Sequence, residues 1–284
     1  MANIRLIRQR IKSAQNIAQI TKAMEMVAAS KMRKAQAAAV SGKIYAQKIY
    51  EMVIRLAAKA DAAHHPLLAR PDVGAGKRLV VVLSSNKGLC GGLNANLFRF
   101  LLSEYRDMAN IDYISLGKKG TAFFVRTGAT LKADFSDTAN IEAKISALTD
   151  MIVGSFIAKE YHAVDLVYND FVSVIKQLPK KKTILPLTIE QGTPESESHE
   201  FLIEPNVAEV FDALLPHYLE NQIRDAVLEA EASEHSSRMI AMRNATDNAV
   251  SLTQELTLLY NKARQEKITY EITDMVTARL AVAE

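Results

Sequence analysis

At 284 residues and 31.4 kDa the chain is long enough for one large domain or two modest ones, each with its own core. Hydrophobic residues make up 49% and charged residues 24% of it, which excludes general disorder, and a single cysteine, Cys90, excludes an internal disulfide and a cysteine-cluster zinc site. The formal charge of +3 is unevenly spread: residues 1–60 carry twelve Lys or Arg against Glu25 and Glu51, a balance of +10, while residues 220–284 carry seven basic and eleven acidic groups, a balance of −4.

Opposite ends of the chain are therefore suited to attract each other or to meet differently charged partners. No apolar stretch of secretory length follows the basic N-terminal residues, and no apolar run reaches 18 residues. A soluble chain in a reducing compartment is expected, in reach of a membrane only through partners.

The first element is a helix over roughly 3–58. Gly42 is the lone glycine of the first 73 residues and no proline precedes Pro66, so the usual breakers are missing. Ile4, Ile7, Ile11, Ala14 and Ala18 recur at steps of three and four, and Ile20, Met24 and Val27 continue a drifting apolar surface. Residues 61–76, with His64, His65, Pro66, Pro71, Gly74 and Gly76, read as a connector.

An α/β segment over 77–210 follows. Strands are predicted at 79–83, 113–116, 164–168 and 183–189, the last interrupted by Pro186, and helices at 94–105, 121–126 and 141–159. Alternating elements predict a small open sheet with helices on its faces. Residues 191–200 read as a mobile loop. The chain closes with a helix inside 211–284, starting near 217, just beyond Pro216. There Leu252, Leu256, Leu259 and Ala263 form a stripe that Ile268, Ile272, Met275, Val276 and Leu280 extend. Two helices of this length need tertiary packing to hold them, and an antiparallel pair with an uneven seam and an unmatched, exposed tip is expected.

Chemistry-bearing candidates are few. The turn 84–92, Ser-Ser-Asn-Lys-Gly-Leu-Cys-Gly-Gly, can serve as turn packing or expose amides to an anion, but it fits neither a nucleotide P-loop nor the three-glycine dinucleotide pattern. Cys90 lacks a base that its sequence places beside it, so a small buried hydrophobe is the simpler reading. The histidines His64, His65, His162, His199, His217 and His235 have no ligand spacing. Catalytic, cofactor and metal residues are accordingly expected to be none. Arg5, Arg8, Arg10, Lys12, Lys22, Lys31, Arg33 and Lys34 raise the alternative of a basic helical nucleic-acid-binding protein, and the α/β segment that of a nucleotide-binding enzyme. Against the former, Met24, Met26, Val27, Ala28, Ala29 and Met32 compose a soft surface suited to protein contact.

Residues 20–33, Ile-Thr-Lys-Ala-Met-Glu-Met-Val-Ala-Ala-Ser-Lys-Met-Arg, closely resemble the N-terminal helix of the gamma subunit of the F-type ATP synthase. Residues 88–94 resemble that family's central turn, and 245–249, 259–265 and 268–276 its C-terminal helix, with Thr277 and Ala278 where small residues, often glycine, are usual. The motifs run from end to end in family order, without the cysteine-bearing insert of the chloroplast form.

The resemblance implies an α/β protein with long terminal helices. These would form an antiparallel coiled coil inside a hexamer of alpha and beta subunits, one copy per complex, above a Rossmann-like open sheet beside the epsilon subunit and the c-subunit ring. It implies a rotor shaft coupling ion-driven rotation to the beta subunits, with Mg-nucleotide on alpha and beta and no nucleic acid. Contact with a bacterial inner membrane, on its cytoplasmic face, would be indirect. Carried over by motif, Lys22, Met24, Lys31, Arg264, Gln265, Thr269 and Glu271 would meet beta subunits, and Phe201, Leu202, Ile203, Glu204 and Pro205 would form the foot near the c ring.

Overall fold

The computed structural model describes residues 4–57, 65–68, 76–106, 110–136, 142–187 and 203–282. The expected loop at 191–200 and most of the connector lie outside them. Ten elements follow in chain order: α1 (Ile4–Ala57), β1 (Lys77–Leu83), α2 (Leu93–Glu104), β2 (Ile111–Leu116), α3 (Lys118–Thr127), β3 (Leu131–Asp134), α4 (Glu142–Ile157), β4 (Tyr161–Phe171), β5 (Gln177–Leu185) and α5 (Val207–Val282). They divide into one unit of Met1–Ala28 with Arg238–Glu284 and a second of Ala29–Ser237.

In the second unit the strands form a five-stranded sheet in the order β3-β2-β1-β4-β5, parallel except for β5, which returns antiparallel beside β4. β1 reads Lys-Arg-Leu-Val-Val-Val-Leu because both of its faces are covered, which removes any polar alternation. Leu79, Val81 and Leu83 face a core shared with Ile145, Leu148 and Ile152 of α4, Ile49 and Val53 of α1, and Phe211, Leu215, Leu219 and Ile223 of α5. Val80 and Val82 face the opposite core, with Leu97 and Leu101 of α2 and Phe123 and Phe124 of α3. β3 and residues 177–182 of β5 lie outside the sequence expectation, and β5 ends at Leu185, before Pro186, where a strand reaching 189 was expected. β3 has only four residues, with Lys132 and Asp134 exposed, and so carries little apolar signal. In β5, Pro179 is tolerated because this strand forms the sheet edge.

The C-terminal helix begins at Val207, not beyond Pro216, which lies inside it. An interior proline costs a helix about 3 kcal/mol. Here Phe211, Leu215 and Leu219 flank it, all buried against the sheet, and their burial offsets that cost.

Within the second unit α1 and α5 run antiparallel. Tyr50 stacks on Tyr218 with ring centroids 5.8 Å apart, Tyr45 hydrogen-bonds His217 at 2.7 Å, and the Cβ position of Gly42 lies 3.6 Å from Asp225 Oδ1. In the first unit Thr21 and Thr246 share a 2.7 Å hydroxyl hydrogen bond.

Burial along α1 corrects the expected uneven seam. Ile4, Ile7, Ile11, Ala14, Ala18, Thr21, Glu25, Ala28, Met32, Ala35, Ala39, Gly42, Ala46, Ile49, Val53 and Leu56 alternate strictly in steps of three and four, and each is buried or half-buried. This is a heptad seam whose middle is lined by small residues, which allow close approach of the partner backbone. Ile20 and Val27, expected on that surface, are instead 60% and 57% exposed.

Gly154 occupies an exposed position in α4, with nothing within 4 Å of where a Cβ would stand. Gly154→Ala is therefore expected to stabilise the chain by about 0.7 kcal/mol, read as a rise in the urea midpoint at constant slope.

Candidate functional site

In the first unit the seam on α5 comprises Met242, Thr246, Ala249, Thr253, Leu256, Tyr260 and Ala263, again in steps of four and three. Leu252 and Leu259, expected on it, are exposed; Leu256 and Ala263 lie on it. With Thr21 level with Thr246, antiparallel pairing brings Ile4, where α1 begins, level with Ala263. Beyond that level no described residue of α1 stands beside α5, and residues 264–279 are exposed on every side.

This overhang is not uniformly polar. At about 100° per residue, Ile268, Ile272, Met275 and Val276 share one face. They are all exposed, Met275 by 65%. The stripe expected to extend the intrachain seam is therefore an uncovered surface. Arg264 and Glu271 border it on one side, where Lys267 Nζ stands 3.5 Å from Glu271 Oε1. Toward the other side Gln265 and Thr269 line a shallow open groove with Lys262, Glu266, Tyr270 and Thr273. All four predicted contact residues of this helix thus frame one apolar stripe. Water penalises that stripe by about 25 cal/mol per Å², so covering it would drive association while the flanking polar groups select the partner.

On α1, Lys22 is exposed and donates to Glu25 at 3.0 Å, Met24 is half-buried, and Lys31 is exposed. An exposed pair such as Lys22–Glu25 adds little stability, so Lys22 is available to another anion at small cost. Lys22 and Met24 sit near the level of Thr246, and Arg264 lies 18 residues further along α5, about 27 Å at the helical rise. The predicted contacts therefore fall in separate places and are not brought together. Met26, expected on a surface suited to protein contact, is exposed, whereas the sequence reading missed Ile17 and Leu258, exposed apolar side chains of the same helices. Their signal was available: large apolar residues out of step with the heptad.

Of the expected foot, Ile203 is half-buried, Glu204 and Pro205 are exposed, and Phe201 and Leu202 lie outside the described residues.

The turn at 84–92 largely satisfies its own polar groups. Asn94 accepts from the Ser85 amide at 3.2 Å and donates to Ser85 Oγ at 2.7 Å and to Cys90 Sγ at 3.3 Å. Cys90 is buried, as expected for a small hydrophobe. Among the described residues no group of three His, Cys, Asp or Glu is placed to hold a metal ion, and no helix is long and apolar enough to cross a membrane.

A family profile described as ATP synthase matches residues 3–282. The ATP synthase gamma chain of Opitutus terrae is 40% identical over 299 aligned residues, covering all of both chains, and that of Dehalococcoides mccartyi is 40% identical over 292, again covering both completely. Among solved structures, a chain of the central stalk and c-ring of Tetrahymena thermophila mitochondrial ATP synthase aligns with a TM-score of 0.61 at 25% identity, over 80% of this chain and 99% of that one. A chain of the Euglena gracilis mitochondrial ATP synthase shares the fold with a TM-score of 0.68 at 21% identity, over 98% and 94% of the two chains.

Proposed function

The chain belongs to the ATP synthase gamma chain family, and from that premise we propose that it is the central rotor shaft of an F-type ATP synthase. It couples ion-driven rotation of a c-subunit ring to cyclic changes in the catalytic beta subunits, and runs the reverse during ATP hydrolysis, without an active site of its own. Its partners are the alpha and beta hexamer, the epsilon subunit and the c ring. It is peripheral to the cytoplasmic face of a bacterial inner membrane, which it reaches through that ring.

The observation that carries the reading is the uncovered end of α5. A helix that leaves its seam at Ala263 and exposes Ile268, Ile272, Met275 and Val276 calls for a surrounding partner. A shaft acts on its neighbours by presenting different contacts to each of them, since a partner shifts a two-state subunit only through contacts that differ between the two states. Lys22, Met24 and Lys31 on α1, and Arg264, Gln265, Thr269 and Glu271 on α5, are the proposed beta-subunit contacts. Residues 201–205 are the proposed foot.

The direct test mixes the chain with purified alpha and beta subunits, against the same mixture without it, and measures composition and ATPase activity. An active complex of three alpha, three beta and one copy of this chain supports the shaft; no association with folded partners overturns it. Arg264→Ala is expected to lower the torque delivered per ATP more than it lowers the yield of assembled complex, because the residue lies at the edge of the stripe and outside the seam. Equal losses in both would remove Arg264 from the torque path.

A further inference from the structure

Doubly wound sheets take ligands in the crevice outside the carboxyl ends of their strands, where the strand order reverses. In the order β3-β2-β1-β4-β5 that point lies between β1 and β4. The turn 84–92 after β1 and the connection 172–176 after β4 border it. Two consecutive serines of α5 reach both. Ser237 Oγ donates to the Cys90 carbonyl at 2.7 Å, and Ser236 Oγ donates to the Val174 carbonyl at 2.6 Å. Gln177 Nε2 donates to Ser236 Oγ at 3.3 Å, and Ser236 is fully buried. Gly91, at φ +57°, adopts a backbone that side-chain-bearing residues rarely take, and Ser237 Oγ lies 3.8 Å from its Cβ position, an ordinary contact distance.

We infer that Ser236 and Ser237 form a two-point clasp that fixes the rotational setting of α5 on the sheet, making them positioning residues for torque transfer through this unit. The inference rests on the shaft reading. Much of the rest of the α5 contact with the sheet is apolar, through Phe211, Leu215, Leu219, Ile223, Ala226 and Val227, and Glu229 adds a polar contact through its hydrogen bond with Tyr168 of β4. Apolar burial is non-directional and resists separation of a helix from a sheet far better than a small roll about the helix axis. Hydrogen bonds weaken steeply as they leave line. Neighbouring side chains project about 100° apart around a helix, so bonds from two of them to two different loops oppose rolling in either sense. The crevice that in other doubly wound proteins receives a ligand is here a socket for the chain's own helix.

The test uses the complete complex in membrane vesicles and compares the parent with Ser236→Ala/Ser237→Ala. Two neutral hydrogen bonds are lost, each worth about 1 kcal/mol, so amide exchange in the last turn of α5 before Arg238 is expected to rise about fivefold per bond. Ion uptake per ATP hydrolysed is expected to fall about twofold while hydrolysis itself holds at the parent level. Ser237→Thr, which keeps the hydroxyl, is expected to retain the parent ratio. Unchanged uptake per ATP in the double variant overturns the clasp, and so does a loss of hydrolysis that matches the loss of uptake, which would indicate a general packing role. Failure of the parent chain itself to join alpha and beta subunits overturns the shaft reading and the clasp together.

Discussion

Gly117→Ala is expected to abolish folding of the α/β unit. Gly117 follows β2 and caps α3 with φ +127° and ψ +136°, a conformation that side-chain-bearing residues rarely adopt. The crossing at this point is also tight. A Cβ would fall inside the carbonyl oxygen of Ser84 and 2.7 Å from its hydroxyl. Neither group can move freely. The Ser84 amide donates to the Leu116 carbonyl at 2.9 Å, its hydroxyl donates to the Gly117 carbonyl at 3.1 Å, and that same hydroxyl accepts from the Gly120 amide at 2.8 Å.

Strained backbone and a collision with fixed main chain act together, so the expected cost exceeds about 4 kcal/mol, a large share of a domain's total stability. Urea unfolding of the purified chain, followed by circular dichroism, should show no cooperative transition for the sheet. Gly154→Ala, at an open helical site, is the control for glycine replacement as such. A Gly117→Ala midpoint close to that of the parent would mean that the β1–β2 crossing relaxes and does not constrain the fold.

The contrast between these two glycines marks what sequence alone conveys. Both are single glycines next to apolar runs, and only the three-dimensional neighbour of Gly117, a serine 33 positions earlier, distinguishes them. The sheet was legible because residues 79–83 of β1 form a continuous apolar run and residues 164–168 of β4 are apolar apart from Asp165, a pattern that burial on both faces explains. β3 was not, because its alternation runs over only four residues, two of them exposed charges, too short to stand out in the sequence. The long helices were legible from missing breakers, and Ile4, Ile7, Ile11, Ala14 and Ala18 were read onto their seam correctly. Further along, the seam continues through Thr21, Ala28, Ala35 and Gly42, small residues with little apolar signal, and leaves the larger Ile20 and Val27 facing outward. The contact residues on α5 came from motif resemblance. That they border an apolar stripe emerges only once the end of α1 is located, since the same isoleucines would be seam residues on a longer partner.

The other large effect concerns a charge inside the second unit. Asp165 of β4 is fully buried on the α2 side of the sheet. It accepts from Arg78 at 2.6 Å, from the Tyr105 hydroxyl at 2.6 Å and from the Thr183 hydroxyl at 2.7 Å. Burial alone would raise its pKa. The hydrogen bonds from Tyr105, Thr183 and Arg78, with the guanidinium charge, outweigh burial and hold it below the ordinary carboxylate value. Burial and the neighbouring carboxylate push the Tyr105 hydroxyl upward in turn, so it remains a proton donor.

Asp165→Asn keeps the shape but leaves the Arg78 charge without its counterion, which is expected to cost about 3 kcal/mol at neutral pH. A group whose pKa is depressed by folding contributes stability that is complete above its unfolded pKa, about 3.9, and is lost as pH falls through the folded value. The stability gap between parent and variant should therefore be widest at neutral pH and close as pH drops below about 4. Urea midpoints measured from neutral pH downward read this directly. Replacing the partner as well, in Asp165→Asn/Arg78→Met, should recover part of the loss, because no charge is then left unpaired. A gap that stays constant as pH falls would assign the loss to packing and remove the ionised carboxylate from the account of how β1, β4, β5 and α2 are held together.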